Sequence, residues 1–164
     1  QRFAEICPPT DISRLANACQ FFDFLTVRRG LRPAFLRDVA ACELACARVR
    51  LALDRQDRSV RRKLRSPKHV RRNPAIALQR CDYDVRPIFE QEPRRGTLRK
   101  QNTSLAIAIP SGADSPKIFE LAPAAFDVLA ALDDWTEVSA FGGSSESRAL
   151  LAELRQHGLV EVSG

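Results

Sequence analysis

Between Phe35 and Leu53 the apolar residues recur at spacings of 4, 3, 4, 3 and 4: Phe35, Val39, Cys42, Cys46, Val49 and Leu53. That period lays them in one stripe along a helix. Leu36, Ala40, Leu44, Ala47 and Leu51 make a second row beside it. The helix is expected to be covered on more than one side, by this chain or by a partner, and to end near Asp54. An earlier stretch has the same period through Ile12, Leu15, Ala16, Cys19 and Phe22. Pro8 keeps Cys7 extended, so this helix opens after a cap at Thr10 or Asp11 and runs to Phe24 or Thr26. Gly30 and Pro33 mark the turn between the two helices.

After Pro74 the period changes from helix to strand. Cys81, Tyr83 and Val85 alternate to one face, and Pro87 ends that run. In SLAIAI, Leu105, Ile107 and Ile109 alternate with small alanines, as expected for a strand buried on both faces. KIFEL, residues 117 to 121, reads as a third strand, and the segments QEPRRGT and SGADSP read as turns. The simplest arrangement is a three-stranded antiparallel meander. Pro123 suits the first position of a following helix. Trp135, Val138 and Phe141 fall in a helical or irregular segment. ESRALLAELRQH is a last helix, capped by Ser144 or Ser145 and stopped by a left-handed Gly158. Leu159, Val160 and Val162 return as a short strand. The fold class is α+β: an N-terminal helical part, then a three-stranded antiparallel sheet and a winged-helix-like C-terminal domain.

Charge sharpens the division of the chain. Of its 164 residues, 26 are Lys or Arg and 20 are Asp or Glu, for a net +6. Residues 58 to 72 hold eight basic residues and no acid, leaving 18 basic against 20 acidic elsewhere. The basic character is one segment, and that segment has no aromatic residues for stacking on bases. Residues 55–74, with Pro67 and Pro74 and no apolar period, read as a basic linker or loop. It separates an N-terminal helical region, 1–54, from a winged-helix-like peptide-recognition domain, 75–164. The chain opens on Gln1 and has no Met, which reads as a fragment or trimmed chain. No apolar run approaches the roughly 20 residues of a membrane span. Five cysteines without a C-x-x-C pair argue for a reducing, cytoplasmic setting.

Candidate chemistry is sparse. Cys42 and Cys46 share a helix face, but His69 and His157 are at no ligand spacing to them. Both cysteines sit in the apolar stripe, so burial explains them and no metal site is expected. Cys7 beside Pro8 has no accompanying motif for a nucleophile. With no phosphate loop, dinucleotide fingerprint or paired carboxylates, no catalytic residue is expected. A winged helix suggests DNA binding. Its recognition helix would span 145 to 157, where Glu146 and Glu153 balance Arg148 and Arg155 without any Asn. That neutral face argues against nucleic acid. The same layout accepts an extended peptide as an added strand. Strand 117–121 is then the acceptor, and Leu150, Leu151 and Leu154 line pockets, unless they only fill the core.

PKIFELAPAAFDVLAALDDW followed by ALLAELRQHGLVEV, within residues 81 to 162, resembles the domains that bind leaders of ribosomally made, modified peptides. ICPPTD, FFDFL and FLRDVAACELACARVRLALD extend the likeness. Together they resemble the small partner subunit of methanobactin biosynthesis (the MbnC type). The resemblance implies a heterodimer with an iron-containing TIM-barrel enzyme that turns cysteines of a precursor peptide into oxazolone and thioamide groups. It implies that this chain binds the leader, carries no cofactor of its own and leaves the iron to its partner. Carried onto these residues, it makes Ile118, Phe119, Glu120 and Leu121 the leader-pairing strand and Leu150, Leu151 and Leu154 the pocket. Phe3, Ile6, Cys7 and Pro8, or the exposed row of helix 33–54, would meet the partner subunit. Proline at Phe119 is expected to remove a strand donor and abolish leader binding while leaving the fold. The alternative function is a winged-helix DNA-binding regulator.

Overall fold

The computed structural model describes residues 14–28, 30, 32–55, 68–90, 98–110, 113–141 and 144–164. In chain order these form α1 (Arg14–Thr26), α2 (Leu36–Arg55), β1 (His69–Arg72), β2 (Ile76–Tyr83), the short α3 (Arg86–Phe89), β3 (Lys100–Ala108) and β4 (Lys117–Glu120). Then come α4 (Pro123–Ala131), β5 (Thr136–Glu137), a 3-10 turn (Val138–Phe141), α5 (Ser145–Gln156) and β6 (Val160–Ser163). The fold is α+β. The expected cap at Thr10 or Asp11 and the whole turn QEPRRGT lie outside the described residues.

The middle of both rows of α2 is mostly buried, while Leu53 near its end is exposed. Cys42, Ala45, Cys46 and Val49 join Cys81, Val85, Leu105 and Ile107 in one core cluster. Ala40 and Leu44, from the second row, are buried as well. The helix packs on α1 and also on β2 and β3, which explains why its apolar surface is wider than one stripe. Asp38 in its first turn suits the positive end of the helix dipole.

β2, β3 and β4 form the antiparallel meander, with Ala106 opposite Phe119 and Ile107 opposite Ile118. From Leu105 to Ala108 every residue of β3 is buried. Leu105 and Ile107 face the α2 cluster, while Ala106 and Ala108 face a second cluster with Leu129, Leu132, Leu154, Leu159 and Val70. The meander is thus the middle layer between the N-terminal helices and the C-terminal elements. β2 ends in a bulge between Cys81 and Tyr83, and Pro87 sits in the first turn of α3.

The C-terminal layer has a second sheet, in order β5-β1-β6, all antiparallel. Its centre corrects the expectation of a loop through residue 74: His69–Arg72 is a strand. Only Val70 of these four points into the core, so alternation left almost no apolar trace in the sequence. Residues 56–67 of the basic segment lie outside the described residues. β5 likewise replaces part of the segment read as helical or irregular. Asn73 fastens this sheet to the meander. Its Nδ2 donates to the Gly158 carbonyl at 2.9 Å, and its Oδ1 accepts from the Ala75 amide at 2.9 Å.

The ends of α5 follow local rules. Ser144 Oγ accepts from the Ser147 amide at 3.1 Å, a regular N-cap. At the other end Gly158 has φ of +72°. The Gly158 amide donates to the Arg155 carbonyl and the Leu159 amide to the Leu154 carbonyl, the two bonds of a Schellman motif. Leu154 and Leu159 both enter the same core cluster, completing the cap. Pro123 opens α4, as its fixed φ favours. Among the described residues no helix is long and apolar enough to cross a membrane.

Candidate functional site

In an antiparallel ladder, successive residues direct their amide and carbonyl alternately to the two sides. The Leu121 amide donates to the Ser104 carbonyl at 2.8 Å. By alternation Phe119 and Lys117 also bond to β3, and Ile118 and Glu120 turn their main-chain groups outward. β4 is the last strand of its sheet. Among the described residues nothing pairs with those outward groups. Proline at Phe119 would therefore break the sheet itself. Ile118 is the position whose amide faces the open side, and the expectation for Phe119 is corrected accordingly.

The opposite edge of the same sheet is treated differently. On β2 the alternation turns Ile76, Leu78, Arg80 and Asp82 outward. The Ile76 amide donates to the Asn73 carbonyl, the Asp82 amide to Asp38 Oδ2 at 2.8 Å, and the Arg80 carbonyl accepts from Gln79 Nε2. Turn and side-chain contacts occupy much of that edge, one of the ways sheets avoid unwanted pairing. Among the described residues β4 carries no comparable cover on its outer side.

Two different faces flank the β4 edge. On the C-terminal side, the Phe119 ring lies 5.7 Å from the His157 ring at the end of α5. Phe119, Leu121, Leu150 and Leu151 are partly buried against the core cluster there. Leu154 is 3% exposed and belongs to the core itself. The end of α5 and β4 thus meet on this face through Phe119 and His157, with Leu150 and Leu151 nearer the surface than Leu154.

On the helical side, Ile118 packs against the α2 cluster and Glu120 meets Arg86. Arg86 Nε and Nη2 grip the two oxygens of Asp84 at 2.9 and 2.8 Å, and Nη1 reaches Glu120 Oε2 at 2.6 Å. The hydrogen bonds to Asp84, outweighing desolvation and aided by the charges of Asp84, Glu120 and Glu90, hold the Arg86 proton more firmly than usual. Sequence reasoning missed Arg86. No spacing rule links it to Glu120, since the pair is made by the fold.

Phe3, Ile6, Cys7 and Pro8 lie outside the described residues. On α2 the exposed positions include Arg37, Glu43, Arg48 and Arg50. At the end of the basic segment, Arg71 pairs with Glu161 at 2.8 Å and Arg72 pairs with Asp133. Arg71 also covers the Trp135 ring, at 4.6 Å from its centroid. The charge of β1 is thus matched by neighbouring acids instead of being left for phosphates.

Among the described residues, Cys42, Cys46 and Cys81 are buried thiols. Cys42 and Cys81 sulfurs are 3.8 Å apart in the interior. The hydrogen bond to Cys81, then burial, push the Cys42 thiol far up, and burial also raises Cys46. Thiols held in that state are poor nucleophiles. Among the described residues no group of three or more His, Cys, Asp or Glu is arranged to hold a metal ion. Compared with known proteins, the chain matches no protein-family model, and no curated protein was found to match it.

Proposed function

We propose that this chain is a non-catalytic partner subunit that binds the leader of a ribosomally made precursor peptide. It presents the precursor's cysteines to an iron-dependent TIM-barrel oxidase, which forms oxazolone and thioamide groups as in methanobactin, a copper chelator. The heterodimer works in the cytoplasm, and the iron belongs to the partner. The observation that carries this reading is the outer edge of β4 beside α5, with which no described residue pairs. Main-chain bonds to Ile118 and Glu120 would give affinity there, and the flanking side chains selectivity. The resemblance of KIFELAPAAFDVLAALDDW and ALLAELRQHGLVEV to leader-binding domains supports the same reading.

The experiment is co-purification with the proteins encoded beside it, iron analysis of the complex, and titration with a labelled leader from the adjacent precursor. Saturable binding is expected. Ile118→Pro removes the outward amide and is expected to weaken binding about ten-fold or more, from the lost bond and the ring's intrusion on the edge. Ile118→Val keeps the amide and binds as the parent does. Equal affinity of the two variants would remove strand addition from the reading. Steeply salt-dependent binding to duplex DNA, with no leader binding, would favour the DNA-binding regulator instead.

A further inference from the structure

We infer that the strand received by β4 carries a basic side chain directly opposite Glu120. The inference rests on the reading of β4 as an acceptor edge and adds the chemistry of its ligand. Glu120 turns its main chain outward, so an added strand pairs a residue with it. Side chains of directly paired residues lie on one face, with their Cβ atoms about 4.5–5.5 Å apart. The partner's side chain therefore emerges beside the Glu120 carboxylate.

That carboxylate has charge to spare. Its side chain is 40% exposed, and Oε1 has no hydrogen-bond partner among the described residues. The Arg86 guanidinium that touches Oε2 is already gripped through two bonds by Asp84 and also feels Glu90. Among the described residues two carboxylates, Asp84 and Glu120, thus contact this one cation. Lys117 extends the edge at its other end, but three residues away and on the opposite face of the sheet. A lysine or arginine opposite Glu120 gains an ion pair. An aspartate or glutamate there meets repulsion. Opposite Ile118 the same row favours an apolar residue or an aliphatic stem, and the alternate row faces Phe119 and α5. The ligand class is an extended peptide with a basic residue opposite Glu120, an apolar residue or aliphatic stem opposite Ile118, and an alternate row facing Phe119 and α5.

The test uses three labelled ten-residue peptides: valine alternating with lysine, with threonine or with glutamate. Affinities are read by fluorescence anisotropy at physiological salt. The whole chain is at +6, so unspecific attraction would favour the glutamate peptide, and screening over about 8 Å limits it. The expected order is lysine tightest and glutamate weakest, with a gap of roughly ten-fold from one favourable and one unfavourable cross-strand pair. Glu120→Gln should shrink the gap and Glu120→Lys should reverse it, with circular dichroism checking the fold of each variant. If all three peptides bind alike and Ile118→Pro weakens them all, the acceptor edge stands and the basic ligand is refuted. If the glutamate peptide binds tightest, the inference is likewise overturned. If none binds, strand addition at β4 falls, and this inference falls with it.

Discussion

Replacing Asp38 removes an acceptor shared by two neighbouring main-chain amides. Its Oδ2 takes the Asp82 amide at 2.8 Å and the Tyr83 amide at 2.9 Å, at the bulge that ends β2. One carboxylate thus ties the start of α2 to the far end of the sheet. Hydrogen bonds to a charged acceptor contribute about 1.5–3 kcal/mol where solvent is excluded. Here the first amide is exposed and the second only part-buried, so water replaces some of the loss. Asp38→Ala should then cost about 2 kcal/mol for the pair. Asp38→Asn keeps an oxygen for both amides. It loses the favourable charge at the helix start, about 0.3–1 kcal/mol, and also the cost of desolvating that charge. It should stay near the parent. Burial raises the Asp38 carboxyl above its ordinary 3.8, against the lowering pull of the Tyr83 and Asp82 amides. The folded protein therefore binds this proton more tightly than the unfolded chain. Its protonation contributes stability that is complete below pH 3.8 and is lost as pH rises through the elevated value. The parent should gain on Asp38→Asn as pH falls through that window. Urea unfolding followed by circular dichroism and by the chain's single tryptophan measures both effects. An alanine variant as stable as the parent, or asparagine as damaging as alanine, would refute the shared-acceptor account.

Leu129 is fully buried between α4 and the C-terminal core, and Leu129→Ala should cost about 2–5 kcal/mol in the same urea assay. Gly158→Ala puts a Cβ on a left-handed residue and should cost about 1–2 kcal/mol. Cys42 and Cys46, buried and held as thiols, should resist a disulfide reagent at pH 8 until urea is added; rapid native labelling, mapped by mass spectrometry, would contradict their burial. Arg71→Ala uncovers the Trp135 ring, already 43% exposed. It should shift tryptophan emission to the red at a stability loss below about 1 kcal/mol.

The parts of the fold that were legible are those where one residue row meets one environment. The double row of α2 and the two-sided burial of β3 follow from apolar period alone, and Gly158 follows from backbone sterics. β1 was invisible because its outward positions, His69 and Arg71, stay polar and Val70 alone marks the inward face. β5 is too short to have a period. The strand at 117–121 could be read from its sequence, but the direction of its amides could not. That depends on its register with β3, which is set by tertiary pairing. The Arg86–Glu120 pair and the Asp38 contacts are likewise tertiary: they join residues across the fold, where local spacing carries no information.

The pairing of β1 with β6 has a consequence for how the chain is made. Arg71 and Glu161 lie 90 residues apart. Such non-local contacts form late, because a long loop must close before they contribute. During synthesis β1 must wait for β5 and then for β6 before both of its sides are paired. A fragment beginning at residue 75 would never receive β1 at all. It would leave β5 and β6 without the strand between them and the Val70 slot empty, so aggregation of that fragment, and its rescue by residues 68–74, are built into the topology.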